Sequence, residues 1–169
     1  MKQHMRMEEN FIKAYEKYAD ALFRYFYYRV ADRERAKDCM QETYTRTWAY
    51  LAEGKTVDNI RAFLYQVARN LIIDASRKKE PLSLEVIDPD GNKIKDKGDL
   101  RASSESSLDA QAALVKINEL EEVYRETLTL RYVDGLRPKE IAAVLEETEN
   151  VISVRIHRGL KQLRGLLKS

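Results

Sequence analysis

The segment of residues 131–168 constrains the fold more than any other part of this sequence. Asp134-Gly135 predicts the end of one helix, and Pro138 predicts the first turn of a short second helix. Thr148-Glu149-Asn150 then supplies a polar turn with a candidate N-cap. A longer helix follows this turn. The pattern predicts two helices joined by a tight turn.

The longer helix has two different faces. Apolar residues at helical spacing predict a buried face: Ile152, Ile156, Leu160, Leu163 and Leu167. The other side is basic: Arg155, Arg158, Lys161, Arg164 and Lys168. A helix-turn-helix presents such a second helix to the major groove of DNA. The alternative is an αα-hairpin whose basic side is only a solvated surface, since cations are also favoured at helix C-termini.

Composition excludes several classes of protein. The net charge of +2 is too small to argue for a nucleic-acid partner by itself. A single cysteine, Cys39, excludes an internal disulfide, so we expect a reducing compartment. Because Cys39 lies on the apolar side of a helical pattern, we expect it to be a small core residue. No apolar run approaches the ~20 residues that span a bilayer. We therefore expect a cytoplasmic chain with no membrane insertion.

Catalytic and ligand-binding motifs are missing from the sequence. Its two histidines do not form a cluster with metal-ligand spacing, and its six glycines form no phosphate-binding loop. The acidic residues mostly lie beside Lys and Arg, as on an ordinary solvated surface. We expect no enzyme, no cofactor and no metal.

Helical periodicity predicts an all-α fold with two small domains joined by a flexible linker. Residues 1–80 contain three long helical patterns, with Asp32 as the N-cap of the second helix and Asp58 or Asn59 beginning the third. Residues 81–108 are rich in Pro, Gly, Ser and charge, which predicts a linker, with a small hairpin around residues 84–94 as an option. Residues 109–169 form the second domain, in which apolar positions such as Val115 and Leu120 recur before the helix-turn-helix.

Three ordered motifs resemble a known family. They are DCMQETYTRTW at residues 38–48, FLYQVARNLIIDASRKK at residues 63–79, and the C-terminal helix-turn-helix. Together they are similar to the extracytoplasmic-function group of bacterial RNA polymerase sigma factors, over about residues 8–167. The resemblance implies a domain for the promoter −10 element, a linker and a domain for the −35 element. The implied partners are core RNA polymerase and promoter DNA, with an anti-sigma factor as a further candidate.

The resemblance also implies three sets of functional residues. The polar side of the second helix would bind the clamp of core polymerase: Asp38, Gln41, Glu42 and Arg46. The following loop and the third helix would bind −10 DNA: Lys55, Asp58, Asn59, Arg61, Arg69, Asn70, Arg77 and Lys78. The last helix would bind −35 DNA: Ser153, Val154, Arg155, His157, Arg158 and Lys161. A solvated face on the second helix, and a structural network of Asn70, Asp74 and Arg77 on the third, are the alternatives.

The turn before the last helix departs from the family pattern. Glu146 and Glu147 stand where the family usually has Gly and then an apolar residue, and Asn150-Val151 replaces a common Gly-Thr. Asn tolerates the left-handed geometry that Gly would supply, so we expect the fold to survive. Two acidic residues near DNA would repel phosphate unless they point away. A stand-alone DNA-binding regulator, or an interaction module without DNA binding, remains an alternative to a sigma factor.

Overall fold

The described part of the protein is all-helical, which confirms the predicted fold class. The structure, a computed structural model, describes residues 1–78 and 104–169, the side chains of residues 104–108 excepted. Within these ranges the helices are α1 (Lys2–Val30), α2 (Arg33–Ala52), α3 (Ile60–Arg77), α4 (Ser104–Ile117), α5 (Glu122–Tyr132), α6 (Pro138–Leu145) and α7 (Glu149–Lys168). The predicted hairpin, and the predicted linker up to residue 103, lie outside the described residues.

These helices form two units. The first unit contains α1, α2 and α3, and the second contains α4, α5, α7 and the start of α6. No helix of the described ranges is both long enough and apolar enough to cross a bilayer.

In the first unit, α1, α2 and α3 pack against one another around a core of large side chains. Leu22 and Phe26 of α1 and Leu64 and Tyr65 of α3 are fully buried. The rings of Tyr25 and Tyr65 meet edge to face at 5.3 Å. The aromatic spacing along α1 therefore builds a core, as helical periodicity predicts.

Side-chain caps set where α2 and α3 begin. The carboxylate of Asp32 accepts a hydrogen bond from the Arg35 N–H at 2.8 Å, which confirms the predicted N-cap. Of the two candidates for α3, Asn59 is the cap, and its side-chain oxygen accepts from the Ala62 N–H at 3.0 Å. The two caps therefore fix the residues at which α2 and α3 begin.

Polar groups inside this unit are mostly satisfied within α2. The hydroxyls of buried Thr43 and Thr47 each donate to the carbonyl four residues earlier, at 2.8 Å.

Cys39 is half-buried, and burial raises the pKa of its thiol. The Tyr44 hydroxyl is buried and has no hydrogen-bond partner among the described residues. Burial, reinforced by Tyr15, raises the pKa of this phenol well above its usual value.

In the second unit, α7 packs closely on α5 through a glycine. A Cβ at Gly159 would lie 3.2 Å from the Leu128 side chain, so the absence of a side chain permits this approach. Leu128 and Leu163 join Ile117 and Leu120 in one buried cluster, with Ile156 and Leu160 packed against it. The predicted buried face of α7 is thereby confirmed over most of its length. Leu167 is the exception on this face, because it is exposed near the C-terminal end of α7. The apolar position Val115 of α4 is exposed as well.

The turn between α6 and α7 has a left-handed residue where none was predicted. α5 ends as expected, with Gly135 at φ 72°, and Pro138 begins α6. After α6, Glu146 adopts φ 55°, and the Glu147 N–H donates to the Ala142 carbonyl at 3.0 Å, as in a Schellman ending. The expectation that Asn150 supplies the left-handed geometry is wrong, because Asn150 lies inside α7.

Removing the Tyr44 hydroxyl should stabilise the first unit. A buried hydroxyl without a partner costs about 1–3 kcal/mol, so Tyr44→Phe should raise the free energy of unfolding by about 1 kcal/mol. The raised pKa adds a pH dependence. The unfolded phenol ionises above about pH 10 while the folded one stays neutral, so this contribution is full below pH 10 and is lost as the pH rises further. Urea unfolding at pH 7 and pH 10.5 should show a larger difference between the two proteins at the higher pH. Equal stability at both values would contradict this account.

Replacing Glu146 by glycine should relieve backbone strain. A non-glycine residue in the left-handed region costs roughly 1–2 kcal/mol, partly offset by the greater unfolded-state entropy of glycine. Glu146→Gly should therefore slow amide hydrogen exchange in α6 and α7, by up to about 1 kcal/mol in opening free energy. Glu146→Ala is the matched control, since it removes the same carboxylate but keeps a Cβ. An equal gain in both variants would point to charge rather than strain.

Candidate functional site

The outer face of α2 is an exposed polar surface. Asp38, Gln41, Glu42 and Arg46 all lie on the solvent side, opposite buried Met40. Arg46 Nε donates to Glu42 Oε1 at 2.7 Å, and both side chains are about half exposed (49% and 47%). Gln41 Nε2 lies 3.4 Å from the Tyr15 hydroxyl of α1. Three of the four predicted residues thus already have a side-chain hydrogen bond, and Asp38 completes the surface.

Aromatic packing lies beneath this surface. The Phe11 ring is 5.1 Å from the Trp48 ring and 5.9 Å from the Tyr44 ring, and Tyr15 lies 4.6 Å from Tyr44. Tyr44 is buried and Trp48 is half-buried, so both rings are packed against α1 rather than fully presented to solvent. The rings hold α2 against α1, so the polar face has a firm base.

The loop between α2 and α3 is positioned by contacts at both ends. Lys55 is exposed, pairs with Glu53 at 2.5 Å and lies 4.8 Å above the Tyr50 ring. The hydrogen bond to Glu53 raises the pKa of the Lys55 amine. At the other end of the loop, the side-chain oxygen of Asn59 caps α3. Asp58 is exposed.

This loop lines an open cavity of about 960 Å³ together with the first half of α1. The floor is largely apolar, with Met7, Phe11 and Ile60 among its residues. Cations from α1 also line it: Arg6, Lys13 and Lys17. These cations were missed by the sequence analysis, although their spacing of seven and four residues puts them on one helix face. The cavity joins apolar surface to positive charge.

The predicted residues of α3 divide by exposure. Asn70, Arg77 and Lys78 are exposed, whereas Arg61 and Arg69 are half-buried. No hydrogen bond joins Asn70, Asp74 and Arg77 in the described structure, so the suggested structural network is not formed there. Asn70 and Arg77 therefore present polar groups to solvent from one side of α3.

The exposed face of α7 contains most of the residues predicted for it. Ser153, Val154, His157, Arg158 and Lys161 are exposed, on the side away from buried Ile152, Gly159 and Leu163. The geometry presents a mixed polar, apolar and cationic surface to a partner.

Arg155 differs from the other predicted residues of α7. Its Nη2 lies 2.6 Å from Glu147 Oε1, and its side chain is only 24% exposed. The ion pair neutralises one of the two acidic residues of the turn, so the repulsion of phosphate expected at Glu147 is reduced. The unusual residue at position 147 thus has a structural partner in α7.

A smaller cavity lies beside the exposed face of α7. It measures about 290 Å³, and its walls come from α5 and from the first half of α7: Val123, Tyr124, Asn150, Val151, Val154, Arg155 and Arg158. Among the described residues, no group of three or more His, Cys, Asp or Glu side chains is arranged to hold a metal ion.

Comparison with known proteins identifies two family regions. Residues 14–81 match the model of sigma-70 region 2, and residues 110–163 match the model of sigma-70 region 4. The extracytoplasmic-function sigma factor SigW of Bacillus subtilis is 30% identical over 159 residues, covering 89% of this chain and 85% of that protein. BldN of Streptomyces coelicolor, of the same group, is 31% identical over 93% of this chain and 60% of its own length.

A solved structure is similar over nearly the whole chain. It is that of the sigma factor RpoE in complex with the anti-sigma factor NepR, from Bartonella quintana. It is 26% identical with a TM-score of 0.64, and the match covers 95% of this chain and 98% of that one.

Proposed function

We propose an assignment of surfaces for this chain, which belongs to the extracytoplasmic-function group of RNA polymerase sigma factors. As a member of that group it binds core RNA polymerase and directs it to specific promoters when transcription begins. The family consists of initiation factors, and we infer that this chain catalyses no reaction itself and works in the cytoplasm beside the polymerase. We further assign residues 1–80 to polymerase and −10 binding, 81–108 to a linker and 109–169 to −35 binding.

The outer face of α2 is the proposed polymerase-binding surface. Its support is the exposure of Asp38, Gln41, Glu42 and Arg46 over a packed aromatic layer. A surface of alternating charge on a rigid base gives orientation and specificity to a protein interface. Because Glu42 and Arg46 are paired in the free chain, binding would exchange this contact for contacts with the partner.

The α2–α3 loop and α3 are the proposed −10 DNA-binding surface. The supporting observation is the open cavity beneath the loop, lined by Lys55 and Asp58 and by the cations of α1. A base turned out of the DNA stack costs a few kcal/mol in lost stacking, which an apolar floor and polar donors must offset. Asn70, Arg77 and Lys78 of α3 would contact the −10 DNA strand. Half-buried Arg61 and Arg69 would add contacts to the same strand.

The exposed face of α7 is the proposed −35 DNA-binding surface, and the two-faced character of α7 is the strongest support for the whole assignment. Buried Ile152, Gly159 and Leu163 fix the helix, so the opposite side is free to enter the major groove. Ser153, Val154, His157 and Arg158 would meet bases, and Lys161 the backbone. Arg155 would act mainly through its contact with Glu147.

An anti-sigma factor is a further proposed partner. The similar sigma factor from Bartonella quintana was solved with its anti-sigma factor bound. We propose that this chain is regulated by a protein of the same kind. Co-purification of the chain from its native cells, followed by identification of bound proteins, would test this.

Changing the outer face of α2 should weaken polymerase binding and transcription. Gln41→Ala combined with Glu42→Lys removes an amide and reverses a charge, which should lower core affinity by at least about tenfold, or ~1.4 kcal/mol. Core binding and run-off transcription on genomic promoter fragments would both be measured. Glu16→Lys, an exposed charge reversal on α1, is the control. Unchanged core affinity in the double variant, at unchanged helicity and melting, would refute the α2 assignment.

Two arginines of α7 should separate base recognition from backbone contact. Arg158 is exposed beside Val154, whereas exposed Arg164 lies farther along α7, where the helix should leave the groove. Arg158→Ala should cost ~1–3 kcal/mol and relax preference at one −35 position. Arg164→Ala should weaken all promoters equally and reduce the salt slope by about one unit. Holoenzyme binding to a −35 substitution series at two salt concentrations measures both. A uniform loss for Arg158→Ala would make it a phosphate contact.

A further inference from the structure

Asn150, at the start of α7, neither caps the helix nor forms the turn before it. The Thr148 hydroxyl accepts from the Val151 N–H at 3.2 Å, and the Thr148 carbonyl accepts from the Ile152 N–H at 3.1 Å. Thr148 is therefore the N-cap, and Asn150 is the second residue of the helix. The left-handed position of the turn is Glu146, so Asn150 is not needed for the turn either.

Asn150 lies on the face of α7 that the proposed function assigns to DNA. Spacings of four, seven and eleven residues put it on one side with Val154, His157 and Lys161, and all four are exposed. Its side-chain amide has no hydrogen-bond partner within residues 1–78 and 104–169. The first turns of a recognition helix contact base edges, so the Asn150 amide is placed where a side chain can recognise a base.

Neutral side chains have to recognise bases in this part of the helix. Arg155 is the one cation among residues 149–155, and its guanidinium is paired with Glu147 at 2.6 Å. Asn150, Ser153 and Val154 are the exposed neutral side chains left in these two turns. Of these, only Asn150 has both a donor and an acceptor in one planar group.

We propose that Asn150 is a specificity-determining residue that recognises an adenine in the −35 element. The amide oxygen accepts from adenine N6 and the amide nitrogen donates to N7, which is the bidentate pairing that asparagine makes in the major groove. Val154, one turn later, packs on a neighbouring base, for which a thymine methyl is the natural apolar partner. The proposal rests on the assignment of α7 to the −35 element. It is particular to this chain, because a glycine here would have no side chain with which to recognise a base.

The test is selection of −35 sequences by the full chain bound to core polymerase. A promoter mapped by run-off transcription supplies a fixed −10 region and spacer, and the −35 hexamer is randomised. The parent is compared with Asn150→Ala and Asn150→Asp. Gln162→Ala is the matched control, since it removes an exposed amide from the later half of the same helix. Core affinity and melting of each variant confirm that it is folded and assembled.

The parent should enrich adenine at one −35 position. Asn150→Ala should lose about tenfold or more of that preference while the other positions keep theirs. Asn150→Asp should shift the same position toward cytosine, because a carboxylate accepts from cytosine N4 but cannot donate to adenine N7. Gln162→Ala should select the parental sequence.

Three results would overturn the proposal in distinguishable ways. Unchanged selection by Asn150→Ala would show that the amide reads no base. Equal weakening at every position would make Asn150 a backbone contact. A parent holoenzyme that selects no −35 sequence at all would remove the assignment of α7 to the −35 element, and the role of Asn150 with it.

Discussion

The burial of one apolar stripe per helix determines which side chains remain available to partners. In α7 the close approach of Gly159 to Leu128 of α5 fixes the rotation of the helix about its own axis. A rotation of one residue, about 100°, would turn Ile152 and Leu163 to solvent. The cost of exposing those side chains, about 1.5–3 kcal/mol each, therefore also specifies the side of α7 that we propose faces DNA. The same reasoning holds for α2, where buried Met40 and Thr47 leave Gln41 and Glu42 outside.

Local patterns predicted the helices well because their causes are local. Periodicity located the buried faces, and Asp32, Gly135 and Pro138 marked ends that depend on single residues. The turn before α7 was harder to predict. A glutamate in the left-handed region is disfavoured intrinsically, and only the hydrogen bonds of the helix ending explain why Glu146 adopts it.

Contacts distant in sequence account for the parts of the site that were missed. The cavity under the α2–α3 loop needs α1 cations some forty residues away, and periodicity says nothing about which helices become neighbours. Likewise the pairing of Glu147 with Arg155 requires the turn and the helix to be folded. Each residue alone predicts a different role, repulsion of phosphate for the glutamate and contact with −35 DNA for the arginine. Only the pair shows that the two effects cancel.

This cancellation suggests how specificity and affinity are divided in the DNA-binding face. On the proposed assignment, neutral groups at the start of α7 gain little from long-range attraction, so they would discriminate bases without strengthening contact with any DNA. Lys161 and Arg164, later in the helix, would attract phosphate regardless of sequence. With a net charge of only +2, the free chain has a weak general attraction for DNA. The two proposed DNA-binding surfaces would gain most when polymerase holds both at the promoter, because the second contact then forms at a high effective concentration. A sigma factor built in this way recognises its promoter chiefly as part of the holoenzyme.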